Sequence, residues 1–193
     1  RGISQTLEDM AIQGGISAEG PAGLFLGLWG SSLDFGEAAS EGRAHTEIDV
    51  FGGIGVEVAG TGLTAGFTYY GYPGALDAAG YDFFELNGAA SRDLGIVSAA
   101  VSAAWSPDYF AGSGSSVYLG GSLGLPIPST PLSLLGTVGR QTIEENDAFG
   151  TADYVDWSAG INLSVLGVDL GASMVGTDLD SEQCFGGSDL CKS

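Results

Sequence analysis

Thr46-Glu47-Ile48-Asp49-Val50-Phe51-Gly52-Gly53-Ile54-Gly55-Val56-Glu57-Val58 alternates along its whole length. Ile48, Val50, Ile54, Val56 and Val58 fall on one face. Glu47, Asp49, Phe51, Gly53, Gly55 and Glu57 fall on the other. Successive side chains of a strand point to opposite faces, so this is a strand with one apolar face and one polar or minimal face. The pattern returns at 155–165, with Val155, Trp157, Ala159, Ile161, Leu163 and Val165 against Asp156, Ser158, Gly160, Asn162 and Ser164. It returns again at 97–105 and 117–125. The non-apolar face is Gly, Ser, Ala, Thr, Asn and acids. Such a face suits a wet, crowded interior with the apolar face turned to lipid, the reverse of a soluble barrel.

Ten strands are predicted, at 11–18, 23–32, 46–58, 63–72, 81–90, 96–105, 116–125, 132–142, 154–165 and 168–177. Most are close to the length a tilted strand needs to cross a bilayer, about 9–11 residues. No segment reads as an amphipathic helix. Connections alternate short (19–21, 60–62, 91–93, 126–131, 166–167) and long (33–45, 73–80, 107–115, 143–153). Short turns on one rim and long loops on the other are the outer-membrane pattern. The expected fold is all-β: an antiparallel up-and-down transmembrane β-barrel, one domain over 1–193. Both ends of the sequence fall on the long-loop side, where such barrels do not normally start or end. Twelve strands are therefore expected in the intact chain, with ten-stranded closure as the alternative.

Composition agrees. The 193 residues include 34 Gly, and the net charge is −19 from 24 acids and five Lys and Arg. Five scattered cations cannot build a nucleic-acid groove. Aromatic content of 10% and a mean hydropathy of +0.23 argue against disorder. Cys184 and Cys191 are spaced too widely for CxxC chemistry and fit a local disulfide in an oxidising compartment, at the last extracellular loop. Tracing strand directions brings Trp29, Tyr69, Trp105 and Trp157 to the long-loop rim with Tyr70, Tyr72 and Phe83, as an aromatic girdle.

Several motifs together resemble the TorF-like porin family of proteobacteria. They are Arg1-Gly2-Ile3-Ser4-Gln5, Trp29 followed by Leu33-Asp34-Phe35-Gly36, Tyr70-Gly71-Tyr72-Pro73-Gly74, Ser106-Pro107-Asp108-Tyr109-Phe110, Tyr154-Val155-Asp156-Trp157, and Val168-Asp169-Leu170 with Thr177-Asp178-Leu179. The resemblance spans essentially the whole chain and rests on order and spacing rather than on one motif. It implies a signal peptide, an outer-membrane barrel and no catalytic residues.

Motifs that could carry other chemistry are weak. Gly120-Gly121-Ser122-Leu123-Gly124 matches GxSxG, but a nucleophile elbow needs a strand-to-helix turn and this lies within a strand. His45, between Arg43 and Glu47, reads as a solvated loop histidine. Asp178-Leu179-Asp180-Ser181-Glu182, with Asp189 twelfth, begins like a calcium loop but has Gln183 where the sharp turn needs Gly. Glu144, Glu145, Asp147 and Asp153 make a second acidic loop. No enzyme activity, metal or cofactor is expected. The informative residues are the acids expected to line the lumen: Glu47, Asp49, Glu57, Asp156 and Asp169. Rings of acids select cations. The competing reading is structural, with these acids either paired to Arg92 or Arg140 or merely hydrating a plugged interior. The expected function is a porin or channel for small polar solutes that prefers cations. The alternative is a non-conducting barrel serving a structural or partner-binding role. Expected partners are outer-membrane lipid, lipopolysaccharide and possible envelope proteins, with no nucleic acid.

Overall fold

The computed structural model describes residues 1–7, 9–36, 44–185 and 189–191. Ten strands form one sheet: β1 (Gln13–Glu19), β2 (Leu24–Ser32), β3 (Thr46–Val58), β4 (Thr61–Gly71), β5 (Phe83–Asp93), β6 (Ser98–Ser106), β7 (Ser116–Pro126), β8 (Leu132–Ile143), β9 (Tyr154–Val165) and β10 (Val168–Thr177). Every strand pairs antiparallel with its sequence neighbour, in unbroken order from β1 to β10. Among the described residues β1 and β10 do not pair with each other. The sheet nevertheless rolls around the segment at 1–5. Gly2 packs on Asp156 and Thr177 at the β9–β10 side, while Gln5 bonds Glu47 on β3. Helix is confined to single turns, the longest at Asn146–Phe149.

The short rim is built from tight turns. Ala59 and Gly60 (φ 51° and 75°) join β3 to β4, and Leu166 and Gly167 (53° and 79°) join β9 to β10. Two consecutive left-handed residues match the twist of the flanking strands, which is why two-residue hairpins use them. One turn differs from the sequence reading. β5 continues through Ser91, Arg92 and Asp93, which pair with β6. The chain reverses beyond them, where Gly95 takes a φ of 95° and its N–H donates to Asp93.

Residues directly opposite in an antiparallel pair share a face, so the register fixes the two walls. Asp49 lies opposite Trp29 on β2 and Tyr70 on β4. Tyr70 faces Phe83, and Thr68 faces Glu85. Continuing round, Asn87, Ala104, Tyr118, Gln141, Tyr154 and Asp156 all belong to this wall. It is the concave face: Glu47, Asp49, Glu85, Gln141 and Asp156 are buried on it. The opposite wall carries Leu26, Leu28, Ile48, Ile54, Val56, Val101, Leu119, Leu123, Val138 and Ile161, each more than 40% exposed. A soluble monomer rarely exposes more than a few hundred Å² of continuous apolar surface. Here the apolar surface covers the outside of every strand.

Candidate functional site

The inner wall carries the chemistry. At its long-loop end a cavity of about 490 Å³ is lined by Arg1, Gln5, Glu47, Tyr70, Tyr72, Phe83 and rings from several loops. Those rings form a plug. Phe35 from the 33–45 loop meets Tyr81 and Phe110 edge-on at 5.6 Å. Tyr81 stacks on Phe110 at 4.5 Å. Phe149 contacts Tyr109 and Phe185, each at 5.4 Å. Four long connections thus meet over the mouth. Burial and the facing Glu47 carboxylate push the Tyr72 phenol well up, and burial does the same to Tyr109, so both phenols stay neutral.

Below the rings, Arg1 crosses the interior. Its guanidinium donates in bidentate fashion to Glu85, at 2.7 and 2.6 Å, and to Gln141 Oε1 at 3.0 Å. It lies 4.5 Å over the Tyr118 ring. Tyr70 donates to the same Glu85 at 3.0 Å, and Tyr118 donates to Asp156 at 3.2 Å. The position of Tyr118 depends on Gly139, diagonal to it on β8: a Cβ there would lie 2.7 Å from the Tyr118 Cε2, so only Gly leaves room for the ring. Glu85 is 2% exposed and Arg1 25%. A planar fork on a carboxylate is the geometry that makes a buried Arg pair tolerable.

The other inner acids form no ion pair among the described residues. Glu47 accepts from Gln5 at 2.6 Å. Asp49 is 8% exposed, and one of its oxygens has no hydrogen-bond partner; the same holds for one oxygen of Asp156. Arg1–Glu85 is the one ion pair among the described residues. Glu57 faces Gly62 near the short rim. Asp169, also on the inner face, accepts from Ser164 at 2.5 Å.

Several sequence expectations change. Trp29 is not on the outer girdle: opposite Asp49 and Gly15, it faces inward. The segment 24–29 lacks clean alternation, so its facing could not be read until β3 fixed the register. Tyr70 and Phe83 also face inward, stacked at 4.3 Å, and Tyr72 is buried in the plug. Tyr69, Trp105 and Trp157 lie on the outer wall, each about 40% exposed, with Phe84 beside Tyr69. Arg92 and Arg140 cannot pair with the inner acids, because their partners Ala99 and Val155 place both on the outer face. Cys184 and Cys191 are disulfide-bonded. Their setting differs from an exposed loop brace: both are buried, clustered with Leu190, Ile3 and Leu7.

Ser122 sits within β7, facing Ala100 and Thr137, not at a turn. Several loop acids are structural ties. Asp178 accepts the Val155 N–H, Asp153 accepts that of Ile143, and Asp180 and Gln183 cap each other's backbone across a single turn. No group of metal-binding side chains occurs among the described residues. Arg43 lies outside them, as does the side chain of Asp189.

The sequence reading missed Glu85, Arg1, Tyr118 and Gln141. Glu85 was legible: it stands between outward Phe84 and Leu86, the alternation that identified Glu47. The role of Arg1 was not, because nothing local ties residue 1 to residues 85 and 141.

A family model described as "Bacterial protein of unknown function (Gcw_chp)" matches residues 1–192. The chain belongs to this family. No curated protein matches the sequence. Among solved structures, the chain is similar to the KdgM porin at a TM-score of 0.60 and 8% identity, over 86% of this chain and 84% of that one. A porin structure refined at 1.8 Å superposes at 0.48 with 14% identity, over 88% and 57% of the two chains, too loosely to argue from. The Gcw_chp chain thus has the fold of a porin-like up-and-down barrel.

Proposed function

We propose that this Gcw_chp protein is an outer-membrane channel of the TorF-like porin kind, passing small polar solutes with a preference for cations. The outer wall supports the membrane location: side chains this apolar on every strand are stable against lipid and not against water. Tyr69, Trp105 and Trp157 stand on that wall toward the long-loop end of their strands, where a headgroup belt would hold them. Lipid and lipopolysaccharide are the partners this wall would take; other envelope proteins would meet the loops.

The observation that carries the selectivity is the charge imbalance inside. Glu47, Asp49 and Asp156 are buried on the inner wall and form no ion pair with a basic side chain among the described residues, while Arg92 and Arg140 are on the far side of the sheet. Low-dielectric walls focus such a field, and salt screens it over about 10 Å at 0.1 M. The intact protein in a planar bilayer should give a reversal potential of cation preference in a dilute salt gradient, fading as salt rises. Amide substitution of Glu47, Asp49 and Asp156 should reduce it. Anion selectivity, or no response to the amides, would remove the electrostatic argument.

The ring plug favours a second reading, a non-conducting barrel that anchors or binds an envelope component. Complete absence of conductance in correctly folded protein would favour it.

A further inference from the structure

Arg1 is a common wall of three cavities. It lines the ring-walled cavity at the loop end. It also lines a second cavity of about 380 Å³ with Tyr118, Ser122, Thr137, Asp156 and Ser158, and a third of about 220 Å³ with Glu85, Asn87 and Tyr118. The space inside the sheet is therefore divided at this side chain rather than blocked throughout. The lower cavities are walled by Gly, Ala, Ser and Thr, which leave room. Beneath the ring plug, the obstruction between these cavities is one guanidinium held from three strands: Glu85 on β5, Tyr118 on β7 and Gln141 on β8.

We propose that the Arg1–Glu85 pair is the constriction of the lumen, setting both its conductance and the strength of its cation preference. This rests on the channel reading above. Charge bookkeeping gives the pair a sign as well as a size. Arg1 carries the one basic side chain on the inner side among the described residues, and Glu85 pairs with it. Removing Arg1 widens the passage and leaves Glu85 as a further uncompensated acid. Neutralising Glu85 leaves a bare guanidinium in the path, opposing cations. A pair that served only to brace the wall would predict neither shift.

The test is single-channel recording of the intact chain in planar bilayers, comparing wild type, Arg1→Ala, Glu85→Gln and Arg92→Gln. Folding of each is checked first by heat-modifiable electrophoretic mobility. Arg1→Ala is expected to raise conductance about two-fold or more, because the narrowest point governs flow, and to strengthen cation preference. Glu85→Gln is expected to weaken cation preference. Arg92→Gln, on the outer face, is expected to match wild type in both. A silent wild type with a conducting Arg1→Ala also supports the constriction. If wild type conducts and Arg1→Ala and Glu85→Gln match it, the constriction is wrong and the channel reading stands. Reversal potentials shifting the same way in both variants would contradict the opposed signs of the pair and overturn the proposal. If no folded variant conducts, the channel reading fails and takes the constriction with it. Should Arg1→Ala not fold, Arg1→Gln keeps a hydrogen bond to Glu85 and carries the same expectations.

Discussion

Individual acids in this chain do two different jobs, and their partners tell them apart. Several of those in loops accept backbone N–H groups. Glu144 is the clearest case: it accepts the Ser115 N–H at 2.9 Å and the Ser115 hydroxyl at 2.7 Å, tying the β8–β9 loop to the β6–β7 loop. The backbone N–H first, and the hydroxyl second, hold its carboxyl below the usual glutamate range. A group lowered in the folded state stabilises it above its ordinary value and loses that contribution as pH falls through the lowered one. The Ser115 amide should therefore be protected from hydrogen exchange, relative to its intrinsic rate, at neutral pH and lose protection in acid below about pH 4.5, the ordinary glutamate value. Glu144→Gln should lower protection already at neutral pH. A pH-independent protection factor in wild type would show that the clasp is not ionic. Inner-wall acids have no such backbone partners, and that difference singles out Glu47, Asp49 and Asp156 as sources of field.

Single strands were legible in the sequence to the extent that they alternate. The limits of β3, β9 and β10 agree with the sequence reading, since each ends at a short turn or breaker and alternates over most of its length. β2 did not yield its facing, because Leu24-Phe25-Leu26-Gly27-Leu28-Trp29 has an aromatic residue on the inner face at both ends. Only Gly27, over which the Phe51 ring lies, betrays the crowded side, and that contact is non-local. The cross-sheet network of Arg1, Glu85, Tyr118 and Gln141 is invisible for the same reason. Register makes a strong prediction for β8. Val138 is outward and mid-strand, facing Gly121 and Trp157, while its neighbour Thr137 is inward and bonded to Ser158 at 2.7 Å. Val138→Arg should cost about 2–4 kcal/mol of folding stability in lipid, as a cation on the lipid face near the midplane. Thr137→Ser should cost far less, keeping the hydroxyl. Urea unfolding from vesicles measures both, and equal small effects would mean that β8 does not face lipid at Val138.

At the scale of the whole molecule, the protein is a rolled meander with its apolar side out, a plug of rings at one mouth and a charge pair just beneath it. Each part follows from the one before. Two-residue periodicity gives two-faced strands, short-long loop alternation gives the meander, and rolling it with acids inward collects negative charge in a confined space. The long loops then supply Phe35, Tyr81, Phe110, Phe149 and Phe185, which bury one another because they meet over one opening. The sequence chemistry names the residues of this plug but not that they converge. The three tryptophans give the most direct check, since Trp105 and Trp157 are outward and Trp29 is inward. Single-tryptophan proteins, the other two replaced by Phe, would be reconstituted in vesicles of brominated lipid, whose bromines quench on contact. Strong quenching of Trp105 and Trp157, with weak quenching of Trp29, is the expected result. Equal quenching of all three, or the greatest quenching at Trp29, would contradict an apolar wall in lipid around an acidic interior.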